Sequence, residues 1–127
     1  MRRKILRHIF RFHGLLESFK IAIKGILYLF LYHRNMRIVF MLGLLALLLG
    51  INFRLQGIEL VTLCITVTLV FMAEIFNTAI EMLMNMLTSK YHIRIKLVKD
   101  IAAAVVLLTA INALAIGYIL FVRKIVR

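Results

Sequence analysis

Residues 58–81 read IELVTLCITVTLVFMAEIFNTAIE. From Ile58 to Ala73 the run is apolar apart from Glu59 and three threonines, Thr62, Thr66 and Thr68. Threonine hydroxyls can bond back to helix carbonyls, so they do not spoil an apolar helix. Those residues carry a helix about 24 Å, most of the way across a hydrocarbon layer of about 30 Å. Glu74, Asn77 and Glu81 follow at once. At about 100° per residue, Asn77 lies about 60° and Glu81 about 20° from Glu74, so the three share one helix face. Ionisable groups at membrane depth are costly and turn toward a partner, a cavity or a site. A polar stripe that only ties helices together is the competing reading.

The rest of the composition fits a membrane setting. Hydrophobic residues make up 64% of 127 residues, mean hydropathy is +1.01, and proline and tryptophan are absent. The length allows one domain, and the composition is not that of a soluble core. The net charge of +12 lies outside the apolar runs, where it serves topology and the membrane surface. No soluble basic domain is legible, which argues against a nucleic-acid role. The single cysteine, Cys64, cannot form an intrachain disulfide and reads as a small hydrophobe. The basic start Met1–Lys4 leads into an amphipathic stretch rather than an apolar signal core, so no cleavable signal peptide is expected.

The expected architecture is an all-α membrane protein, a single membrane domain over residues 1–127. Ile5, Ile9, Phe12, Leu16, Phe19, Ile23, Ile26 and Phe30 keep one apolar face, predicting an amphipathic interfacial helix over about residues 3–35. Transmembrane helices are expected over about 38–55, 58–87 and 100–122. In this reading Arg54 snorkels outward and Asn52–Gly57 forms a tight turn. Nine lysines and arginines precede the first span, one follows it, and four lie between the second and third. The positive-inside rule therefore predicts a multi-pass protein of the cytoplasmic (inner) membrane, with the N-terminus and the loop 88–99 in the cytoplasm. The three C-terminal cations, Arg123, Lys124 and Arg127, run against the rule, but the other side carries more.

This topology gathers Glu74, Asn77, Glu81, Lys99 and Asp100 at one level, the cytoplasmic interface. Carboxylates can bind Mg²⁺ or take a hydroxyl proton, and a lysine can neutralise phosphate charge. Those are the requirements of metal-assisted phosphoryl transfer between a substrate in water and one in the membrane. The six glycines are scattered and form no phosphate-cradling loop. On the residues alone, transporter, assembly factor and enzyme all stay open, although inverted repeats and broken helices are absent.

The pieces Glu74-Ile-Phe-Asn77-Thr-Ala-Ile-Glu81, Tyr91-His92 and Lys99-Asp100, at these separations, resemble the prokaryotic integral-membrane diacylglycerol kinase family. That family includes the undecaprenol kinases of Gram-positive bacteria. The resemblance covers about residues 18–122 and takes in Ser18-Phe19-Lys20, Ala22, Gly25-Ile26, Arg34-Asn35 and Arg37. It implies a homotrimer with active sites shared between subunits, embedded among membrane lipids. It implies transfer of the γ-phosphate of ATP to diacylglycerol or undecaprenol with Mg²⁺, and Mn²⁺ as an alternative. By position, Glu74 is the expected catalytic base and Glu81 a metal ligand. Asn77, Lys99, Asp100, Tyr91 and His92 are the expected nucleotide- and phosphate-binding residues, with Asp100 supporting Lys99.

Two positions depart from the family pattern. His33 stands where a second metal-binding glutamate is usual, and Asn85 replaces a usual aspartate. Imidazole is a poor Mg²⁺ ligand. His33 reads equally well as an interfacial histidine, and Asn85 as a solvated polar residue near a helix end. Activity is therefore expected to be reduced. The alternative is a catalytically impaired member acting as a structural or regulatory membrane protein. Met72, Met82, Met84 and Met86 read as core or lipid contacts, and Asn112 as an interhelical hydrogen-bonder.

Overall fold

With no proline to interrupt them, the apolar runs form long helices. A computed structural model describes residues 14–87 and 92–127. Its helices are α1 (Gly14–Tyr32), α2 (Arg34–Asn52), α3 (Ile58–Leu87) and α4 (Ile93–Val126). No strand occurs among the described residues. The chain divides into a unit ending at Arg34, which holds α1, and a unit Asn35–Arg127.

In the first unit, the described part of the expected surface helix stops at Tyr32, and residues 3–13 of that expectation lie outside the described residues. His33 is not helical; its amide still donates to the Leu29 carbonyl at 2.9 Å. Tyr28 lies against Tyr32 with ring centroids 4.7 Å apart, and 6.1 Å from the His33 ring.

The second unit contains the apolar helices. α2, α3 and α4 are each long and apolar enough to cross a membrane. Large side chains stay exposed along them, such as Leu108 at 67% and Leu114 at 75%. Surface of that kind suits lipid and is untenable in water. Cys64 is exposed on α3.

Three boundaries differ from the sequence expectation. α2 begins at Arg34 rather than 38, and α4 begins at Ile93 rather than 100 and ends at Val126 rather than 122. Hydropathy marks the oily part of a helix, and charged turns at its ends look like loop. The His92 imidazole caps α4, its Nδ1 accepting from the Arg94 amide at 3.2 Å. The Lys96–Asp100 ion pair, 2.9 Å and four residues apart, spans the next turn.

The end of α2 differs as well. The helix stops at Asn52, not 55. The Leu55 amide donates to the Gly50 carbonyl at 2.9 Å and the Arg54 amide to the Ile51 carbonyl at 3.0 Å. That pair of bonds closes a helix through a left-handed residue, here Arg54 with φ 55°. Arg54 therefore makes the turn rather than extending the span. The closure folds Leu55 inward to 4% exposure, against Gly50. A Cβ at Gly50 would lie 2.6 Å from Leu63 Cδ2 and 3.4 Å from Leu55 Cδ1, so α2 and α3 approach closely there.

α3 and α4 run antiparallel in constant register. Glu59 pairs with Lys124 at 3.1 Å, and Asn85 accepts from Lys99 at 2.6 Å. The steps between those contacts, 59 to 85 on α3 and 99 to 124 on α4, match to within one residue. Between them lies the small core of Leu55, Leu63 and Leu120, flanked by Leu60, Val67, Ile116 and Phe121. Phe53 meets Phe121 edge-on at 5.5 Å. The Thr62, Thr66 and Thr68 hydroxyls donate to the carbonyls four residues back, at 2.7, 2.7 and 2.8 Å.

Candidate functional site

The polar face of α3 is built by spacing. Positions 74, 78, 81 and 85 fall within about 60° of one another around the helix, with Asn77 at the margin. Exposure changes sharply along this strip. Glu74 is 4% exposed and Thr78 4%, Asn77 is half-buried, and Glu81 and Asn85 are exposed. Glu74 is the only buried one of the chain's five acids. The buried Thr78 hydroxyl donates to the Glu74 backbone carbonyl at 2.9 Å. A hydroxyl satisfied this way tolerates low dielectric.

Across from the outer end of this strip stands the first part of α4. Lys99 donates from Nζ to Asn85 Oδ1 at 2.6 Å. Asp100 was expected to support Lys99, but its carboxylate accepts from Lys96 instead, at 2.9 Å. Helical geometry explains the exchange: residues four apart share a face, whereas neighbours point about 100° apart. The sequence expectation of a single level for the polar residues is corrected too. Lys99 is level with Asn85, and Glu74 lies eleven residues further along α3. At ~1.5 Å per residue, Glu81 is about 6 Å, Asn77 about 12 Å and Glu74 about 16 Å deeper than the Lys99–Asn85 contact. The site is a ladder of polar groups, descending from an exposed ammonium to a buried carboxylate.

His92 is exposed and serves as the cap of α4; Tyr91 lies outside the described residues. His33 belongs to the unit with α1. Among the described residues, no three His, Cys, Asp or Glu side chains form a metal-holding group. Mg²⁺ does not require a protein cage; it keeps waters and binds one or two carboxylates plus substrate phosphates. The exposed oxygen ligand Glu81 fits that mode by donor chemistry, and the nitrogen of His33 does not. The sequence reading did not foresee the Asn85–Lys99 contact or the buried hydroxyl of Thr78. The first was within reach by counting back along two antiparallel helices from their connection. The second carried no signal beyond a threonine four residues after Glu74.

Fold and site define a small helical protein with three helices fit to cross a membrane and a polar face on one of them. Residues 20–121 match the family described as prokaryotic diacylglycerol kinase. The chain is 36% identical over 105 residues to a diacylglycerol kinase of Synechocystis sp., a match covering 82% of this chain and 60% of that protein. It is 33% identical over 78 residues to an undecaprenol kinase of Bacillus subtilis, covering 61% of this chain and 63% of that protein. The chain belongs to the prokaryotic diacylglycerol kinase family. These matches span between 60% and 63% of the length of the two relatives.

Proposed function

We propose that the chain is an ATP-dependent lipid-alcohol kinase that phosphorylates diacylglycerol or undecaprenol at the cytoplasmic face of the inner membrane. Family membership supports the reaction class, and the observation that carries it is the buried Glu74 at the foot of the polar ladder. A hydroxyl on a membrane lipid meets Glu74 at the apolar end, and a nucleotide from water meets Lys99 at the polar end. Glu74 takes the proton of the lipid hydroxyl as its oxygen attacks the γ-phosphorus. The bond from that phosphorus to the β,γ-bridging oxygen breaks, and ADP leaves. The Lys99 ammonium offsets the charge on the departing phosphates, and Asn77 donates to the transferring group. Glu81 would hold Mg²⁺, which would supply charge neutralisation to the phosphates.

The impaired-member reading keeps one motivation, the exchange of two expected acids for His33 and Asn85. A transfer assay decides between them. Radiolabelled γ-phosphate is supplied to the purified protein in mixed micelles with either diacylglycerol or undecaprenol, in Mg²⁺ or Mn²⁺. The kinase reading expects label in one lipid; no label in any arm supports the impaired reading. The homotrimer belongs to the same proposal, and the mass of the detergent-solubilised assembly checks it. Sidedness has its own test in a Cys64→Ala background. A cysteine at Ser89 is expected to be shielded from an impermeant reagent in intact cells, and one at Gln56 to be labelled. The reverse pattern would put the ladder away from cytoplasmic ATP.

A further inference from the structure

We infer that Asn85 is a positioning residue for the phosphate-binding lysine. It fixes the Lys99 ammonium where α3 and α4 meet without cancelling its charge. This rests on the kinase reading above. The contact is short, 2.6 Å from Lys99 Nζ to Asn85 Oδ1, and it joins two helices rather than two turns of one. The acids near Lys99 are otherwise disposed. Asp100, its neighbour in sequence, is held by Lys96 at 2.9 Å, and Glu81 lies one helical turn from Asn85 toward the membrane. The acceptor that holds Lys99 is thus a neutral amide, which offers no counter-charge to the ammonium.

Chemistry makes that combination useful. An ammonium has three donors on a flexible four-carbon stem, and holding such a stem in place costs rotamer entropy on binding. An amide oxygen can hold one donor in advance and leave two for phosphate oxygens. A carboxylate at the same place would hold the ammonium more strongly but would compete with the phosphate for it. Asn85 therefore pre-orders the cation for an anionic ligand, and the ligand class is the phosphate chain of a nucleoside triphosphate. The substitution that looks like a decayed acid position is, on this account, a working part of the site.

The test is a double-mutant cycle on ATP, read as KM and kcat for transfer and as affinity for a non-transferable ATP analogue with Mg²⁺. Asn85→Leu keeps the side-chain shape and removes the acceptor. It is expected to raise KM and weaken the analogue about three- to tenfold, with the smaller effect on kcat and no shift in melting temperature. Asn85→Gln, which keeps the acceptor, is expected to recover most of the affinity. In a Lys99→Met background, Asn85→Leu is expected to add less than about twofold. An unaltered KM in Asn85→Leu, an equal effect in both backgrounds, or a loss confined to kcat and melting temperature would overturn the inference. If Lys99→Met leaves ATP binding intact, the inference falls while the kinase reading stands. If the wild-type protein binds no nucleotide, both fall.

Discussion

The two ends of α3 do different work. At one end, Leu63 packs with Leu55 and Leu120, Phe53 meets Phe121, and Glu59 reaches Lys124. At the other, α3 and α4 meet through Lys99 and Asn85, with Lys96–Asp100 exposed alongside. The first end has close apolar contacts and a left-handed turn that locks α2 against α3. The second has polar groups spaced along one strip, beside Ala73 at 4% exposure and the edge-on contact of Phe40 with Phe71 at 5.8 Å. Lipid provides no hydrophobic drive for helix association, so helix pairs depend on close packing and hydrogen bonds. Apolar contacts dominate one end of this helix set and polar contacts the other.

Substitutions at each end can break that contrast. Apart from Glu74 itself, the largest effect is expected at the polar end. Glu81→Gln removes a hard oxygen ligand while keeping its shape. Transfer is expected to fall at least about tenfold at ordinary Mg²⁺ and to recover partly as Mg²⁺ is raised. A metal titration of kcat/KM measures this; a loss that no Mg²⁺ concentration relieves would remove Glu81 from the metal.

At the packed end, Gly50→Val forces branched methyls into the space of Leu63 and Leu55. Overpacking of that kind costs about 1–3 kcal/mol. Reversible unfolding in detergent is expected to register it, with kcat per folded protein retained. Stability equal to wild type would mean that α2 moves aside freely, and the contrast between the ends would weaken.

The smallest effect has the opposite sign. Arg54 occupies a left-handed conformation that is costly for any residue with a Cβ, by roughly 1–2 kcal/mol. Glycine adopts it freely. Arg54→Gly is therefore expected to stabilise the protein by up to about 1 kcal/mol in the same unfolding measurement, after the extra chain entropy of glycine is subtracted. A destabilised variant would show that the arginine side chain makes a contact worth more than the backbone cost.

The sequence and the structure agree where physics is local and part where it is not. The three apolar runs were legible as helices because hydropathy and length suffice for that. The shared face of Glu74, Asn77 and Glu81 was legible because it follows from helical period alone. The ends of the helices were not. Arg34 was assigned to the surface helix yet opens the first span, and the turn holding Arg94 and Lys96 read as loop yet lies within a helix. The turn over Asn52–Gly57 was legible, but its left-handed closure at Arg54 was not, since such closure usually advertises itself as glycine. Depth was misjudged for the same reason. Placing Lys99 level with Glu74 assumed that α4 began near residue 100, whereas its extra turns put Lys99 level with Asn85. The separation of ammonium and carboxylate depends on antiparallel register, which one chain of letters shows only after the helix ends are known.

The central claim is that Glu74, the buried acid at the foot of the ladder, takes the proton of a lipid hydroxyl. Glu74→Gln tests it most directly, because the amide keeps the shape and cannot accept that proton. Purified wild-type and variant proteins are compared for γ-phosphate transfer in mixed micelles, with melting temperature and nucleotide affinity measured on the same preparations. The account predicts a fall of about 10²–10⁴ in kcat with melting temperature and nucleotide affinity preserved. Wild-type turnover in Glu74→Gln would contradict it.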